Sequence, residues 1–483
     1  MATIHTNSIR EELARIKEEF AAQTKANTVT PESSMLIKSL IILLELVFSI
    51  FLEKTTRKTG RNSNKPSSQT GQDTTFISKK GSNGKGKSED IISADNSRTV
   101  VTDIVLPVNA CSGCGEALEY IEASVRERRT RIDIVFEKTV EHFDAEIKQC
   151  PRCHETTKAD FPEGIHGKLQ YGNGLKAFVV HLMVSQMVAI NRVKKMIVAM
   201  IGKRLSEATL LSFVLRLHLA LEGWEQKAKN ILLAQPTMHV DETSIKVNRK
   251  NYWIHVHAGG DITLKLLHSK RGNDAIIDND IIPRYNGCII HDCWASYLSY
   301  TQCTHGLCGS HLLRELTFIF DSNQYKWAKA MKNLLQAACR KVSKSKSKKL
   351  TKKAYQHFQK RYRTILTCGE KELPAIPIKS KNKNGKIAKS DAHNLWNRLK
   401  KYEDAVLRFA RDPHVSFTNN RAEQDLRMAK VKQKVSGCFR SELYAKAYCR
   451  ISSYLQTMAN KGINPLIAIQ MALNGEICGA LGE

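Results

Sequence analysis

Acidic residues are scarce in this 483-residue sequence: 47 Asp and Glu stand against 75 Lys and Arg, a net charge of +28. A surface so short of negative charge attracts polyanions, most often nucleic acid or an anionic membrane. Long apolar runs are also lacking. The most apolar segment, Met35 to Leu52, is interrupted by Lys38, Ser39 and Glu45, and its unbroken part is only Leu40 to Leu44. That falls far below the roughly 20 residues a membrane span needs. The segment reads as a helix buried against a partner or against the chain itself, and no membrane is expected among the partners. No signal-peptide pattern opens the sequence, and its 13 cysteines are an odd number. Both point to the reducing cytoplasm, where paired cysteines more often bind metal than form disulfides. The length allows two to four domains and a sizeable core, with no internal repeat.

What is present changes character along the chain. Residues 8–24 read as a charged helix, and with 35–53 they can make a helical hairpin or an oligomerising coil. Lys54 to Ser88 holds nine Lys and Arg but one acid, Asp73; with so few apolar groups it reads as a flexible basic linker, a solvated tether or a DNA-clinging arm. Residues 103–161 form a compact cysteine-bearing module. Leu175 to Leu233 is helical in pattern. Within it Val193 to Met200, Gly202 and Ser206 to Leu217 outline a helix-turn-helix, although the second helix is apolar enough that plain packing is favoured. From Met238 the pattern turns to strands, with Tyr252 to His257 and Ile262 to Leu266 separated by a Gly259-Gly260-Asp261 hairpin signal. A helix follows near 274–280, a short strand at Cys288 to Ile290, and helices from about 309 onward. Arg340 to Arg363 carries eleven basic residues and no acid, and Lys379 to Lys389 reads as an exposed loop.

The cysteine module contains two C-x-x-C knuckles, Cys111-Ser-Gly-Cys114 and Cys150-Pro-Arg-Cys153. Each sets two thiolates on one tight turn, so the pair can complete one tetrahedral structural Zn²⁺ site, with a strand over Thr130 to Val140 holding the knuckles together. The alternative is four buried free cysteines. His142 and His154 are left out of the ligand set.

Three acids carry the catalytic pattern. Asp241 ends the apolar strand Thr237-Met-His-Val, Asp292 ends Cys288-Ile-Ile-His, and Glu423 falls in the first turn of a helix capped by Asn419 or Asn420. Two strand-end carboxylates and a helix carboxylate can converge on two Mg²⁺ (or Mn²⁺) ions, the arrangement that phosphoryl transfer on DNA requires. Taken singly, each acid also reads as a turn residue or cap. Glu242 and Asp425 read as non-ligands, facing away from strand and helix neighbours respectively. Arg427 shares the face of Glu423 and can steady it or touch phosphate. With Lys430 and Lys434, and with Lys348, Lys349, Lys352 and Lys353 of the acid-free run, it makes up the candidate DNA contacts.

These residues resemble the transposases of the insertion sequence 66 family, which are of the DDE type. The matching stretches are His239-Val-Asp-Glu-Thr243, His291-Asp-Cys-Trp-Ala-Ser-Tyr297, Cys308-Gly-Ser-His-Leu-Leu-Arg-Glu-Leu316 and Asn419-Asn-Arg-Ala-Glu-Gln-Asp-Leu-Arg427, running on to Lys434-Val-Ser-Gly-Cys-Phe-Arg440. Upstream, Gly60 to Ser68 is similar to the family's basic linker, and the knuckles, Phe161-Pro and Tyr171-Gly to its zinc-binding module. The resemblance implies an α/β fold: a ribonuclease-H-like core with a large helical insertion, preceded by the zinc module and helical N-terminal regions. It sets Asp241, Asp292 and Glu423 on the family's three acidic positions. The implied layout is N-terminal helices at 1–53, linker at 54–100, zinc module at 101–165 and a helical DNA-binding region at 166–235. A catalytic domain at 236–440, with its insertion at about 310–410, and C-terminal helices at 441–483 complete it. The implied activity is cleavage at transposon ends followed by strand transfer into target DNA. Its expected partners are both DNAs, further copies of the chain and companion proteins of the same element. An inactive zinc-containing DNA-binding protein and a ribonuclease-H-like recombination nuclease are the rivals. Cys308-x-x-His311 matches a motif of several transposases; two ligands cannot hold a structural zinc, so a packing or hydrogen-bonding role is favoured.

Overall fold

The computed structural model describes residues 6–62 except 27, 57 and 60, residues 104–131 except 124 and 126, and residues 138–377 and 389–477. The expected linker from residue 63 onward, the middle of the strand expected over Thr130 to Val140 and nearly all of the loop at 379–389 lie outside the described residues. The described ends of that expected strand are irregular. The chain divides into two units, one of residues 1–84, 227–246 and 250–430, the other of 85–226, 247–249 and 431–483.

The first unit opens with α1 (Thr6–Lys25) and α2 (Pro31–Thr55). Thr30 caps α2 by accepting from the Ser33 amide, and Pro31 stands at the position whose N–H has no helical partner. At 25 residues α2 is longer than the sequence pattern implied, and its length and apolarity meet those of a membrane span. The interrupting residues do not break the helix: Lys38 and Ser39 stay exposed and Glu45 pairs with Lys17 of α1 at 2.7 Å, while Ser34, Ser49 and Glu53 are buried with Leu46 and Leu52 on one docked face. The Glu53 carboxylate accepts from the backbone N–H groups of Asp391 and Ala392 and from Asn323 Nδ2. The opposite face leaves Leu36, Leu40, Leu43 and Val47 exposed.

The second unit contains a small antiparallel pair, β1 (Ile147–Gln149) and β2 (Thr156–Lys158), then α3 (Asn173–Val180), α4 (Ile190–Ile201) and α5 (Glu207–Ala220), with α6 (Glu222–Leu233) following. Gly202 ends α4 in the left-handed conformation, φ +68°, which costs glycine nothing, and Ser206 caps α5 by accepting from the Thr209 amide. Leu210, Phe213, Val214 and Leu217 of α5 are buried, so that helix spends its surface on packing.

Returning to the first unit, a five-stranded mixed sheet has the order β5-β4-β3-β6-β7: β3 (Thr237–Val247), β4 (Lys250–Gly259), β5 (Ile262–His268), β6 (Cys288–His291) and β7 (Thr304–Leu307). β4 and β5 are antiparallel, whereas β3, β6 and β7 run parallel. Short helices α7 (Asn273–Asn279) and α8 (Ala295–Leu298) fall between the strands. α9 (Gly309–Asn323), α10 (Lys326–Lys344), α11 (Lys352–Glu372), α12 (Asp391–Lys401) and α13 (Glu403–Leu407) then form a helical layer. Trp327, Met331, Leu335, Tyr362, Leu395 and Leu399 pack with Ile290 and Leu307 of the sheet in one core. This layer is the long segment between the second and third acids. The acid-free basic run is its outer end, with Lys348, Lys349, Lys352 and Lys353 all exposed. The chain closes with α14 (Asn420–Ser436), α15 (Glu442–Asn460) and α16 (Pro465–Leu473). In the second unit the α15 ring of Tyr454 meets Trp224 edge-on at 5.2 Å.

Candidate active site

The parallel strands align the site. In the register of β3 with β6, Thr237 pairs with Cys288 and His239 with Ile290; carried two residues further, Asp241 stands beside Asp292. β7 pairs His291 with Leu307, so Cys308 and the start of α9 emerge at the same edge. In open sheets with parallel strands, the carboxyl ends of the strands are where ligands bind.

Glu423 reaches this edge because the segment before α14 is clamped to it. The Cys308 sulfur accepts the Asn419 amide at 3.2 Å, and Gly309 N–H donates to the Phe417 carbonyl at 2.7 Å. A Cβ on Gly309 would lie 2.2 Å from the Phe417 ring, so only glycine allows this approach. Asn419 is fully buried, and its side chain is spent on β3: Nδ2 donates to the Val240 carbonyl at 2.8 Å, and Oδ1 accepts from His239 Nδ1 at 2.9 Å. Burial lowers the His239 pKa to about 4, which keeps the ring neutral with its proton on Nδ1.

Asp241 lies within Coulombic reach of Glu242, Asp292 and Glu423. Burial first, then these three carboxylates, push its pKa well above the ordinary value. Asp241 Oδ1 accepts only its neighbour's backbone N–H, from Glu242 at 2.9 Å, and Asp292 Oδ1 accepts from Trp294 N–H at 3.0 Å. Glu423 Oε1 is buried without a hydrogen-bond partner. Among the described residues these three carboxylates do not all come within 4.8 Å of one another, as Cys308, His311 and Glu423 do, but buried, under-compensated carboxylate oxygens are the donor type that suits hard divalent cations.

The structure differs from the alternation rule at Glu242. Met238 and Val240 are buried on β3, then Ile245 and Val247, so the burial pattern changes phase across Asp241 to Ser244. Glu242 is 2% exposed and takes two N–H groups of Arg271, at 2.8 and 2.6 Å, and the Tyr297 hydroxyl at 2.6 Å. The Arg271 guanidinium lies 5.0 Å from the Trp253 ring and 4.6 Å from the Trp294 ring. Glu242 is therefore an anchored neighbour of the acidic cluster. Asp425 accepts from the Thr263 hydroxyl at 3.0 Å and is balanced by Lys265 and Arg421, away from the three acids.

His291, next to Asp292, belongs to a buried chain. Cys293 N–H donates to its Nδ1, so its proton sits on Nε2 and points at His305 Nδ1, 3.2 Å away; His305 Nε2 donates to the Tyr300 carbonyl. Burial lowers the His291 pKa to about 3. The turn that follows is held by Cys293 at φ +74°, a left-handed conformation uncommon for a residue with a side chain.

His311 also stands at this edge. Its Nδ1 is 3.6 Å from Glu423 Oε1, and Cys308, His311 and Glu423 offer ligand atoms all within 4.8 Å of one another. Of the helix α14 cations, Arg427 and Lys434 are exposed, whereas Lys430 is half-buried and donates to the Ser244 carbonyl at 2.5 Å.

The two knuckles have the same local build. Cys111 N–H donates to the Glu116 carbonyl and Gly115 N–H to the Cys111 carbonyl; Cys150 N–H donates to Glu155 and His154 N–H to Cys150, at 2.8 and 2.9 Å in both cases. The fifth residue of each turn, Gly115 or His154, is left-handed. Backbone N–H groups, led by Gly113 at Cys111 and by Cys153 at Cys150, lower both thiol pKa values, as suits thiolate metal ligands. Among the described residues, the four knuckle sulfurs are not drawn into one cluster.

A family model described as Transposase IS66 family matches residues 168–447, more than half of the chain. No curated protein matches it.

Proposed function

The chain belongs to the IS66 family of transposases, DNA-processing enzymes of mobile elements, and from that premise we propose that Asp241, Asp292 and Glu423 form its catalytic centre. The observation that supports this reading is that carboxylates from β3, β6 and α14 face one sheet edge, where burial first, then Glu242, Asp292 and Glu423, hold Asp241 well above its ordinary pKa. Two divalent metal ions, Mg²⁺ or Mn²⁺, would be held by these three side chains and would polarise the phosphate and lower the pKa of the attacking oxygen. The protein's own residues supply the frame. Asn419 and Cys308 set the height of Glu423, the β3–β6 register sets Asp241 beside Asp292, and Glu242 with Arg271 closes the side of the cluster.

On this reading the enzyme nicks transposon ends with water and joins the freed 3′-hydroxyl to target DNA. The mixed sheet with acids at the ends of adjacent strands agrees with a ribonuclease-H-like core, and the helical layer at 309–407 agrees with its insertion. One structural Zn²⁺ would be held by Cys111, Cys114, Cys150 and Cys153 once the two turns are drawn together, and the shared build of the turns and their lowered thiol pKa values support this. DNA is bound through the helical region, Arg427, Lys434 and the exposed Lys348 to Lys353 run, and two or more copies pair the two ends.

The test is a strand-transfer assay with the element's own ends. Asp241→Asn, Asp292→Asn and Glu423→Gln keep shape and remove one charge each. Each is expected to abolish both steps, a loss of at least about 1,000-fold, with DNA binding within a few-fold of wild type. Full activity in any one of them removes that residue from the centre.

A further inference from the structure

The C-x-x-H motif at Cys308 has two metal-type donors in the sequence, and the fold brings a third. Glu423 arrives from 112 positions downstream, and the three ligand atoms fall within 4.8 Å of one another. Two of them face each other without satisfying each other: His311 Nδ1 and Glu423 Oε1 are both buried, neither has a hydrogen-bond partner, and 3.6 Å separates them. That gap is too long for a hydrogen bond. It lies close to the roughly 3.3–3.4 Å between two tetrahedral ligands at about 2.0–2.1 Å from one zinc ion.

We propose that Cys308, His311 and Glu423 form a binding site for a soft divalent transition-metal ion, Zn²⁺ above all, which takes Glu423 away from the Mg²⁺ centre when it binds. The sharing of Glu423 rests on its assignment above as the third acid. The donor set argues for the ion. Thiolate and imidazole select zinc over magnesium, whose preference is for oxygen ligands. The Cys308 sulfur already accepts the Asn419 amide, the kind of outer contact that orients a metal ligand. Binding displaces the Cys308 thiol proton to solvent and leaves a fourth position open. The consequence is regulatory: a soft ion seated on the trio withdraws one carboxylate from the hard-metal site.

The experiment uses the full-length chain without DNA or Mg²⁺. Bound Zn²⁺ is counted by metal analysis after dialysis, and Co²⁺ substitution reads the thiolate-to-metal absorption. Wild type is expected to hold one ion more than Cys308→Ala or His311→Ala, with affinity for that ion at least about 100-fold weaker in each variant, since losing a ligand costs more than losing an outer partner. Equal ion counts and equal spectra in wild type and both variants overturn the site. His311→Ala keeps the test decisive where Cys308→Ala loosens the Asn419 contact, with thermal melting as the check on folding. A second arm titrates Zn²⁺ into Mg²⁺-supported strand transfer. Inhibition at the concentration that fills the trio supports the sharing of Glu423. Filling without inhibition overturns that sharing, while strand transfer by Glu423→Gln judges the third-acid assignment separately and the ion count judges the site.

Discussion

Arg271 is the guanidinium that balances the buried edge of the acidic cluster, and replacing it tests the architecture directly. Arg271→Met keeps an unbranched chain between Trp253 and Trp294 and removes the charge that Glu242 receives. Glu242 is 2% exposed, so it would stay buried with the Tyr297 hydroxyl as its remaining side-chain donor. Breaking a fully buried pair costs about 3–5 kcal/mol. The Arg271 side chain is itself 43% exposed, so solvent already screens part of the interaction, and about 2 kcal/mol is the expected loss. The pH dependence has a definite sign. Burial already raises the Glu242 pKa, and losing Arg271 raises it further. A raised folded-state pKa means stability that is present below the unfolded value, about 4.3, and lost as pH rises through the folded value. The deficit of Arg271→Met should therefore be largest at neutral pH and shrink as pH falls through the raised folded-state value. Urea unfolding followed by tryptophan fluorescence measures it. Adding Glu242→Gln to Arg271→Met should recover at least about 1 kcal/mol, because the uncompensated charge goes. A deficit independent of pH, or additive with Glu242→Gln, refutes the reasoning.

Two further outcomes are expected. Freshly purified, reduced protein should carry one tightly held Zn²⁺ on its knuckles, and Cys150→Ser should release it and loosen residues 103–161; a protein free of zinc contradicts this. Replacing Lys348, Lys349, Lys352 and Lys353 with Gln should flatten the salt dependence of DNA binding by up to about 0.9 for each phosphate that is no longer neutralised, and an unchanged slope makes the run a solvated face.

Features with a local cause were legible in the sequence. Gly202 and Ser206 marked the end of α4 and the start of α5 because a left-handed stop and a hydroxyl cap are chemical demands of the backbone. Asp241 and Asp292 were legible as ends of apolar strands, and the helical segment after 309 as a break between the second and third acids. Features that depend on contacts far along the chain were not. Alternation, which assumes an unbroken pleat, turns Glu242 away from Asp241, whereas β3 changes phase at that point. Nothing local marks Arg271 as its partner. β7 has no local signal, since Thr304-His-Gly-Leu307 has neither alternation nor β-branched density. Cys308 and His311 looked insufficient for a metal because their third neighbour lies over a hundred residues away. Lys38, Ser39 and Glu45 break the apolar run in the sequence but not the helix, because Lys38 and Ser39 stay exposed and Glu45 pairs with Lys17 of α1.

The acidic cluster also makes a prediction about metal and stability together. Asp241 is held above its ordinary pKa by burial, then by Glu242, Asp292 and Glu423, so its ionised form is disfavoured in the folded chain. Its unfolded value is about 3.9, and the stability tied to its protonated form is lost as pH rises through the folded value. Without a cation, the fold should weaken toward neutral pH on this account. A divalent ion that binds the ionised cluster and not the unfolded chain reverses that loss, by about 2.7 kcal/mol at a concentration 100 times its dissociation constant. Mg²⁺ should therefore raise the melting temperature more at pH 8 than at pH 5, and chelation should remove the gain. Asp241→Asn deletes the titrating group and one ligand at once. It should melt higher than wild type in metal-free buffer at pH 8 and respond little to Mg²⁺. A wild-type gain from Mg²⁺ that is the same at both pH values, or that persists undiminished in Asp241→Asn, would place the ion elsewhere than on these carboxylates.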